Sequence, residues 1–166
     1  MKIVFSGTYG TNKTISVLNK ARELKLKYPT KTVGTLTNNP INYSLLINKK
    51  ATVESQLQVF REQLSEETEM ANRFDILVCD RSIFDIVAYM WWLDSKAGFI
   101  MFNLAIKMAD TYDTIYFKRL KNNNYLFNNE LRYTTDIKFR GYIDARLEYI
   151  FLMIKELGSK VKIIEI

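Results

Sequence analysis

The sequence predicts a three-layer α/β fold, in which a parallel sheet of about five strands carries helices on both faces. Two observations predict it. Short apolar runs of strand length alternate with longer stretches of helical periodicity. The first of these runs leads straight into a glycine-bearing turn and then a helix. At 166 residues the chain has the size of one domain with a core of its own.

Each element has its own signal. Lys2-Ile-Val-Phe-Ser6 is a β-rich run, and Gly7 and Gly10 break it. Residues 14–27 place Val17, Leu18, Ala21 and Leu24 on an apolar side, and Pro29 ends that helix because the residue before proline resists the helical region. Residues 31–36 form a second strand, followed by a polar loop, Thr37 to Tyr43, broken by Pro40. A long helix is expected over residues 52–72, with Val53, Leu57, Phe60 and Leu64 inward and Glu54, Arg61, Glu62, Glu66, Glu67 and Glu69 on a solvated face. Phe74 to Cys79 is the clearest buried strand, with the single cysteine inside it as a small hydrophobe. An apolar helix over residues 83–93 precedes a break at Asp94 to Gly98, and another helix follows over residues 99–109. Residues 114–117 are a fourth strand. An asparagine-rich loop spans residues 120–133, a helix from Asp136 stops at Gly158, and residues 161–166 close the sheet.

Composition excludes several chemistries. The chain has no histidine, which rules out histidine metal sites and Ser-His-Asp triads. One cysteine forbids an internal disulfide and suits a reducing compartment. The longest apolar run, Ile86 to Leu93, is too short to span a bilayer, and the start of the chain reads as a strand rather than a leader. The expected location is cytoplasmic, the host's if the protein is viral. The net charge of +6 comes from lysines and arginines spread along the chain. A cleft that handles phosphate also wants positive potential, so charge alone does not decide between it and a nucleic-acid surface; a nucleic-acid partner is admitted but not favoured. Oligomeric state is left open, a dimer included.

The turn after the first strand carries the chemistry. Gly7-Thr8-Tyr9-Gly10-Thr11-Asn12-Lys13-Thr14 matches the phosphate-loop pattern G-x-x-x-x-G-K-[ST] everywhere except Asn12, which stands where the last glycine belongs. Such a loop turns backbone N–H groups inward around an anion at the positive end of a helix. Asparagine is the next residue after glycine to adopt the left-handed conformation, so Asn12 is expected to hold the same bend. Lys13 then reaches the β- and γ-phosphates of ATP, and the Thr14 hydroxyl ligates Mg²⁺. The alternative is a plain glycine turn with Lys13 solvated.

Parallel sheets place ligands at the C-terminal ends of their strands. Asp80, directly after a buried strand, is there a candidate for the metal or for catalysis, and Arg81 for clamping an acceptor. The simpler alternative makes Asp80 a helix cap. Asp85 divides between a substrate role and that of a buried hydrogen-bonded aspartate. Phe84, Tyr89, Trp91 and Trp92 divide between a base pocket and the core. Arg132 is the favoured closing cation over the transferred group, with Lys138 and Arg140 nearby in sequence.

Several stretches together bring in a family: the phosphate loop, Asn39-Pro-Ile-Asn42, the Thr52–Gln63 helix, Asp80-Arg-Ser-Ile-Phe-Asp-Ile-Val-Ala-Tyr89, and Asn129-Glu-Leu-Arg132. In this order the chain resembles the P-loop ATPase/kinase family that includes the ribosylnicotinamide-kinase domain of bacterial NAD regulators and many small phage proteins. It is more distantly similar to thymidylate and deoxynucleoside kinases. The resemblance implies a P-loop nucleoside/nucleotide-kinase-like fold, with ATP and Mg²⁺ as cofactors and a small nucleoside or nucleotide as substrate. It puts Lys13 and Thr14 at ATP and Mg²⁺, Asp80 at metal or acceptor, Arg81 at the acceptor with Asn39, Asp85 and Tyr89, and Arg132 in a lid. Relatives often carry Asp-Gly-x-Arg in the lid, where this chain has Asn129-Glu130 before Leu131-Arg132. Deoxynucleoside kinases place a carboxylate base after the second strand, where this chain has Thr35-Leu-Thr-Asn-Asn39. That tilts the expected acceptor slightly towards a nucleoside monophosphate, which needs no base, unless Asp80 itself is the base. Asn12 keeps open a second class, a phosphate-loop module that binds nucleotide without turnover; a kinase for nucleic-acid ends is a third.

Overall fold

The computed structural model describes residues 1–37, 51–121 and 137–166. Five strands form one sheet: β1 (Lys2–Ser6), β2 (Val33–Leu36), β3 (Ile76–Asp80), β4 (Thr114–Phe117) and β5 (Lys162–Glu165). Their order across the sheet is β2-β3-β1-β4-β5 and every pairing is parallel. β1 is buried along its whole length, as a central strand covered on both faces must be. The chain lays β2 and β3 on one side of β1 and then crosses to β4 on the other. The order reverses about β1, and a crevice opens at the C-terminal ends of the strands beside such a reversal.

Alternation along the strands assigns the faces. Ile3, Phe5, Ile76 and Val78 point to one side and pack with Val17 and Leu24 of α1 (Lys13–Lys27). Val4, Leu77, Cys79, Ile115 and Phe117 point to the other, into the larger core. That core is filled from α2 (Val53–Arg73), α3 (Ile83–Leu93), α4 (Ser95–Ala105) and α5 (Ile137–Glu156). A short 3₁₀ segment, Ile106–Thr111, joins α4 to β4. The predicted three-layer α/β class is therefore the observed one, with α1 alone on its side among the described helices. Burial in this core pushes the Cys79 thiol up, as expected of an inert structural cysteine.

Three expectations need correction. The break between the third and fourth helices is shorter than expected, the single extended residue Asp94, which ends α3 and at once caps α4, its Oδ1 accepting from the Ala97 N–H at 2.8 Å. Gly98 sits inside α4 because a Cβ there would lie 2.6 Å from the Trp91 Cα, so the glycine serves close packing and not chain reversal. The second correction is the face of α2. Leu57 is exposed, while Gln56, Val59, Phe60, Gln63 and Glu67 are buried. Glu67 was read as solvated, yet it is 1% exposed, with Lys2 Nζ 3.0 Å away to neutralise it. A periodicity count treats every carboxylate as outward, and this one has a cation waiting inside. The third is that β2 and β3 start later, at Val33 and Ile76. Thr32 and Asp75 before them are taken up by mutual hydrogen bonds of 2.9 Å.

Candidate active site

The loop between β1 and α1 is built on left-handed backbone. Gly7 has φ 150° and Gly10 φ 76°, and Asn12 holds φ 56° and ψ 37° as the residue capping α1. The bend that the missing glycine would make is thus made by asparagine, as the sequence suggested. Gly7 is constrained twice, because a Cβ there would also meet the Lys118 carbonyl oxygen at 2.5 Å. Lys13 is 6% exposed and folds back over the loop, its Nζ donating to the carbonyls of Gly7 and Thr8 at 2.8 Å each. The Thr11 hydroxyl donates to the Thr8 carbonyl at 2.9 Å, and Thr8, Tyr9 and Thr11 are buried.

Asp85 anchors the loop from below. It is the third residue of α3 and closes a capping box with Ser82. Its Oδ1 accepts from the Gly7 N–H at 2.8 Å, and its Oδ2 accepts from the Ser82 N–H at 2.8 Å, the Ser82 hydroxyl at 2.8 Å and the Ser6 hydroxyl at 2.5 Å. At 1% exposure, with both oxygens occupied by the protein, Asp85 has the environment of the buried hydrogen-bonded aspartate.

Asp80 stands at the end of β3, beside Phe5 of β1, and the Thr14 hydroxyl donates to its Oδ2. Its Oδ1 is buried with no hydrogen-bond partner among the described residues. An unanswered carboxylate oxygen is costly unless a cation or ligand answers it. A hydroxyl and a carboxylate side by side are the oxygen donors that Mg²⁺ takes from a protein, the rest coming from water and phosphate. The residues present fit the ion. Among the described residues no group of three or more Asp, Glu or Cys side chains could hold a metal by itself.

Arg81 follows with φ 81°, an outlier for a side-chain-bearing residue. Tyr89, one turn further along α3 than Asp85, is half-buried on the same edge. Its hydroxyl lies against Thr8 and the Tyr9 backbone, and burial pushes its pKa up. Phe84 is fully in the core, Trp91 packs on Phe102, and Trp92 packs edge-on to Phe139 and Tyr142. The core alternative thus holds for Phe84; Trp91 is partly buried against that core, and Trp92 stays 42% exposed despite its ring contacts.

Two cations reach the loop that the sequence reading did not assign. Lys118 Nζ donates to the Ser16 hydroxyl of α1 at 2.7 Å. Burial and Lys121 lower its pKa, while Asp80 opposes them. Arg140 of α5 is buried, its guanidinium 5.6 Å from the Tyr9 ring centroid and 3.2 Å from where a Cβ of Gly10 would stand. The sequence signal for Arg140 was its neighbourhood to Arg132; nothing local marked it as buried. Lys138 is exposed. Asn39 and Arg132 lie outside the described residues, as does most of the asparagine-rich loop.

Comparison of the sequence with family models and with curated proteins gives no match. Comparison of the fold does. Thymidylate kinase from Ehrlichia chaffeensis superposes with a TM-score of 0.66 at 18% identity, covering 100% of this chain and 91% of that one. Deoxyadenosine kinase from M. mycoides, solved with the products dCMP and dCDP, gives 0.59 at 11% identity, covering 100% and 89%. Thymidylate kinase from Candida albicans gives 0.52 at 14% identity, covering 99% and 82%. The chain has the P-loop fold of thymidylate and deoxynucleoside kinases.

Proposed function

We propose that this chain is a Mg²⁺- and ATP-dependent kinase whose acceptor is a nucleoside or nucleoside monophosphate, the monophosphate fitting better. The observation that carries the proposal is the pairing of Thr14 with Asp80 under a left-handed loop, with Asp80 Oδ1 unanswered. Fold likeness to nucleotide kinases over the whole chain supports it.

The loop N–H groups and Lys13 receive the phosphates of ATP. Thr14 and Asp80 hold Mg²⁺, which when bound supplies charge neutralisation on those phosphates. Arg81 holds the acceptor, with Asn39 and Tyr89 as further acceptor-side candidates; Asp85, its oxygens taken by the protein, acts instead by holding the phosphate loop through Gly7. Arg132 and Arg140 are the cations for the charge that develops on the transferred group. In the transfer an acceptor oxygen forms a bond to the γ-phosphorus as the bond to the ADP oxygen breaks.

A hydroxyl acceptor must also lose a proton; Asp85 is engaged through both oxygens by Ser6, Gly7 and Ser82, and Asp80, whose Oδ2 accepts from Thr14, is assigned to the ion rather than to that proton. A phosphate acceptor needs no such base, hence the preference. The M. mycoides enzyme was solved with dCMP and dCDP as products, and a monophosphate product implies a nucleoside acceptor, so deoxynucleosides stand in the panel beside the monophosphates; the ribosylnicotinamide-kinase resemblance adds nicotinamide riboside.

The test is ATP consumption against nucleosides, nucleoside monophosphates and nicotinamide riboside, with Lys13→Ala as the blank. Turnover with one acceptor that vanishes in the variant establishes the kinase. Mg²⁺-ATP binding that depends on Lys13 but drives no turnover would mean a binding module instead. Absence of ATP binding overturns the proposal.

A further inference from the structure

The left-handed Arg81 is held from four directions, and two of the holds come from one buried polar network. The Arg81 N–H donates to the Phe5 carbonyl of β1 at 2.9 Å, and the next N–H, of Ser82, donates to Asp85. The Arg81 carbonyl accepts from Gln63 Nε2 of α2 at 3.3 Å. The Ile83 N–H donates to the Tyr112 hydroxyl at 3.3 Å. Gln63 and Tyr112 converge on one group: Gln63 Nε2 donates to Glu67 Oε1 at 2.9 Å and the Tyr112 hydroxyl donates to it at 3.0 Å. Lys2 Nζ neutralises Glu67 through Oε2 at 3.0 Å and lies 4.1 Å from the Tyr112 ring centroid. Gln63, Glu67, Tyr112 and Lys2 are all buried.

A charged group is costly to bury and a strained backbone is costly to hold. A buried charge that spends its hydrogen bonds on the two side chains flanking a strained residue calls for one account of both. We infer that Lys2, Glu67, Gln63 and Tyr112 form a positioning network that keeps Arg81 at its left-handed φ and so aims its guanidinium at the acceptor. The inference rests on the proposed role of Arg81. Lys2 fixes the charge of Glu67, Glu67 orients the Gln63 amide and the Tyr112 hydroxyl, and these pin the Arg81 carbonyl and the Ile83 N–H. Left to its own preference, Arg81 would relax to negative φ and its side chain would leave along a different direction. None of the four side chains needs to touch a substrate.

The test is a double-mutant cycle between Gln63 and Arg81. Gln63→Met keeps the volume and removes the amide donors. It is expected to lower kcat/KM for the acceptor about tenfold while ATP affinity stays within about twofold. In an Arg81→Gly background the same substitution is expected to have no further effect on the acceptor, because glycine takes φ 81° freely and there is no side chain left to aim. Tyr112→Phe removes one hydroxyl with little change in volume. It should show the same selective loss in milder form, which covers the case in which Gln63→Met folds poorly.

If both variants keep wild-type acceptor kinetics while Arg81→Gly loses them, the network inference falls and the role of Arg81 stands. Equal losses in ATP affinity and acceptor kinetics, persisting in the Arg81→Gly background, mean a merely structural network and also overturn it. An Arg81→Gly variant as active as the parent overturns the acceptor role and the inference with it. Where no acceptor turns over, a crystal structure of Gln63→Met with residue 81 still left-handed decides against the inference.

Discussion

At the scale of single residues, Asn12 and Gly7 carry the loop by opposite means. Asn12 adopts φ 56° with its side chain exposed, so the conformation costs backbone energy but provokes no clash. Asn12→Gly is therefore expected to change ATP affinity less than about threefold, since asparagine is among the residues that enter this region most readily. Asn12→Val should lose about 1–2 kcal/mol of folding stability, because a β-branched side chain is the worst fit there. Titration with ATP and denaturant midpoints measure the two. A sharp gain of turnover in Asn12→Gly would instead mark a loop disabled by asparagine. Gly7→Ala faces both a φ of 150° and the Lys118 carbonyl at 2.5 Å, and is expected to cost about 1–3 kcal/mol. An alanine variant as stable as the parent would mean that β4's end yields more easily than its pairing with β1 suggests. The left-handed loop was legible in the sequence because glycine and asparagine announce themselves. The strain at Arg81 was not, since an arginine gives no sign of a positive φ until its backbone partners are known.

At the scale of elements, the helices show where periodicity succeeds and where it fails. The run Ile83–Leu93 was found without difficulty because it is apolar nearly all round and buried on most sides. On α2 the same reasoning put the core on the line through Leu57 and set Glu67 in solvent. The true buried line runs through Gln56, Gln63 and Glu67, and the partners of Glu67 come from Lys2 of β1 and from Tyr112, two residues before β4. No local pattern contains those partners. The site divides in the same way. Thr14 and Asp80 were legible because each sits at a fixed place beside a strand end, whereas Arg140 arrives from α5 through the packing of the helix. Its fork lies against Gly10 and Tyr9, where lysine would keep the charge and lose the planar geometry. Arg140→Lys is accordingly expected to lower kcat by about tenfold or more with a smaller change in ATP affinity. A variant with full kcat would return the closing role to Arg132 alone.

At the scale of the whole molecule, two aspartates tie the ends of the sheet to its connections, and their titration couples folding to pH. Asp75 Oδ2 accepts from the N–H and hydroxyl of Thr32 at 2.9 Å each, joining the entrances of β2 and β3. Asp110 Oδ1 accepts from the Ser159 hydroxyl at 2.6 Å and the Lys160 N–H at 2.9 Å, joining the 3₁₀ segment to the approach to β5. These donors hold the two carboxyls below the ordinary aspartate value, the Thr32 N–H leading for Asp75 and the Ser159 hydroxyl for Asp110. A depressed folded pKa means that the unfolded chain takes up protons first as pH falls. The stabilisation is thus fully present above the ordinary aspartate value of 3.8 and is lost as pH falls through the lower folded values. Both groups are exposed, so solvent screening keeps each contribution small, and the effect is sought in the slope against pH. Denaturant midpoints taken from about pH 6 down to about pH 2 should fall more steeply for the parent than for an Asp75→Asn, Asp110→Asn double variant. The double variant should start lower at neutral pH, since an amide replaces a charge-assisted acceptor with a neutral one, and the two curves should converge in acid. Parallel curves would mean that the acid sensitivity lies with other groups.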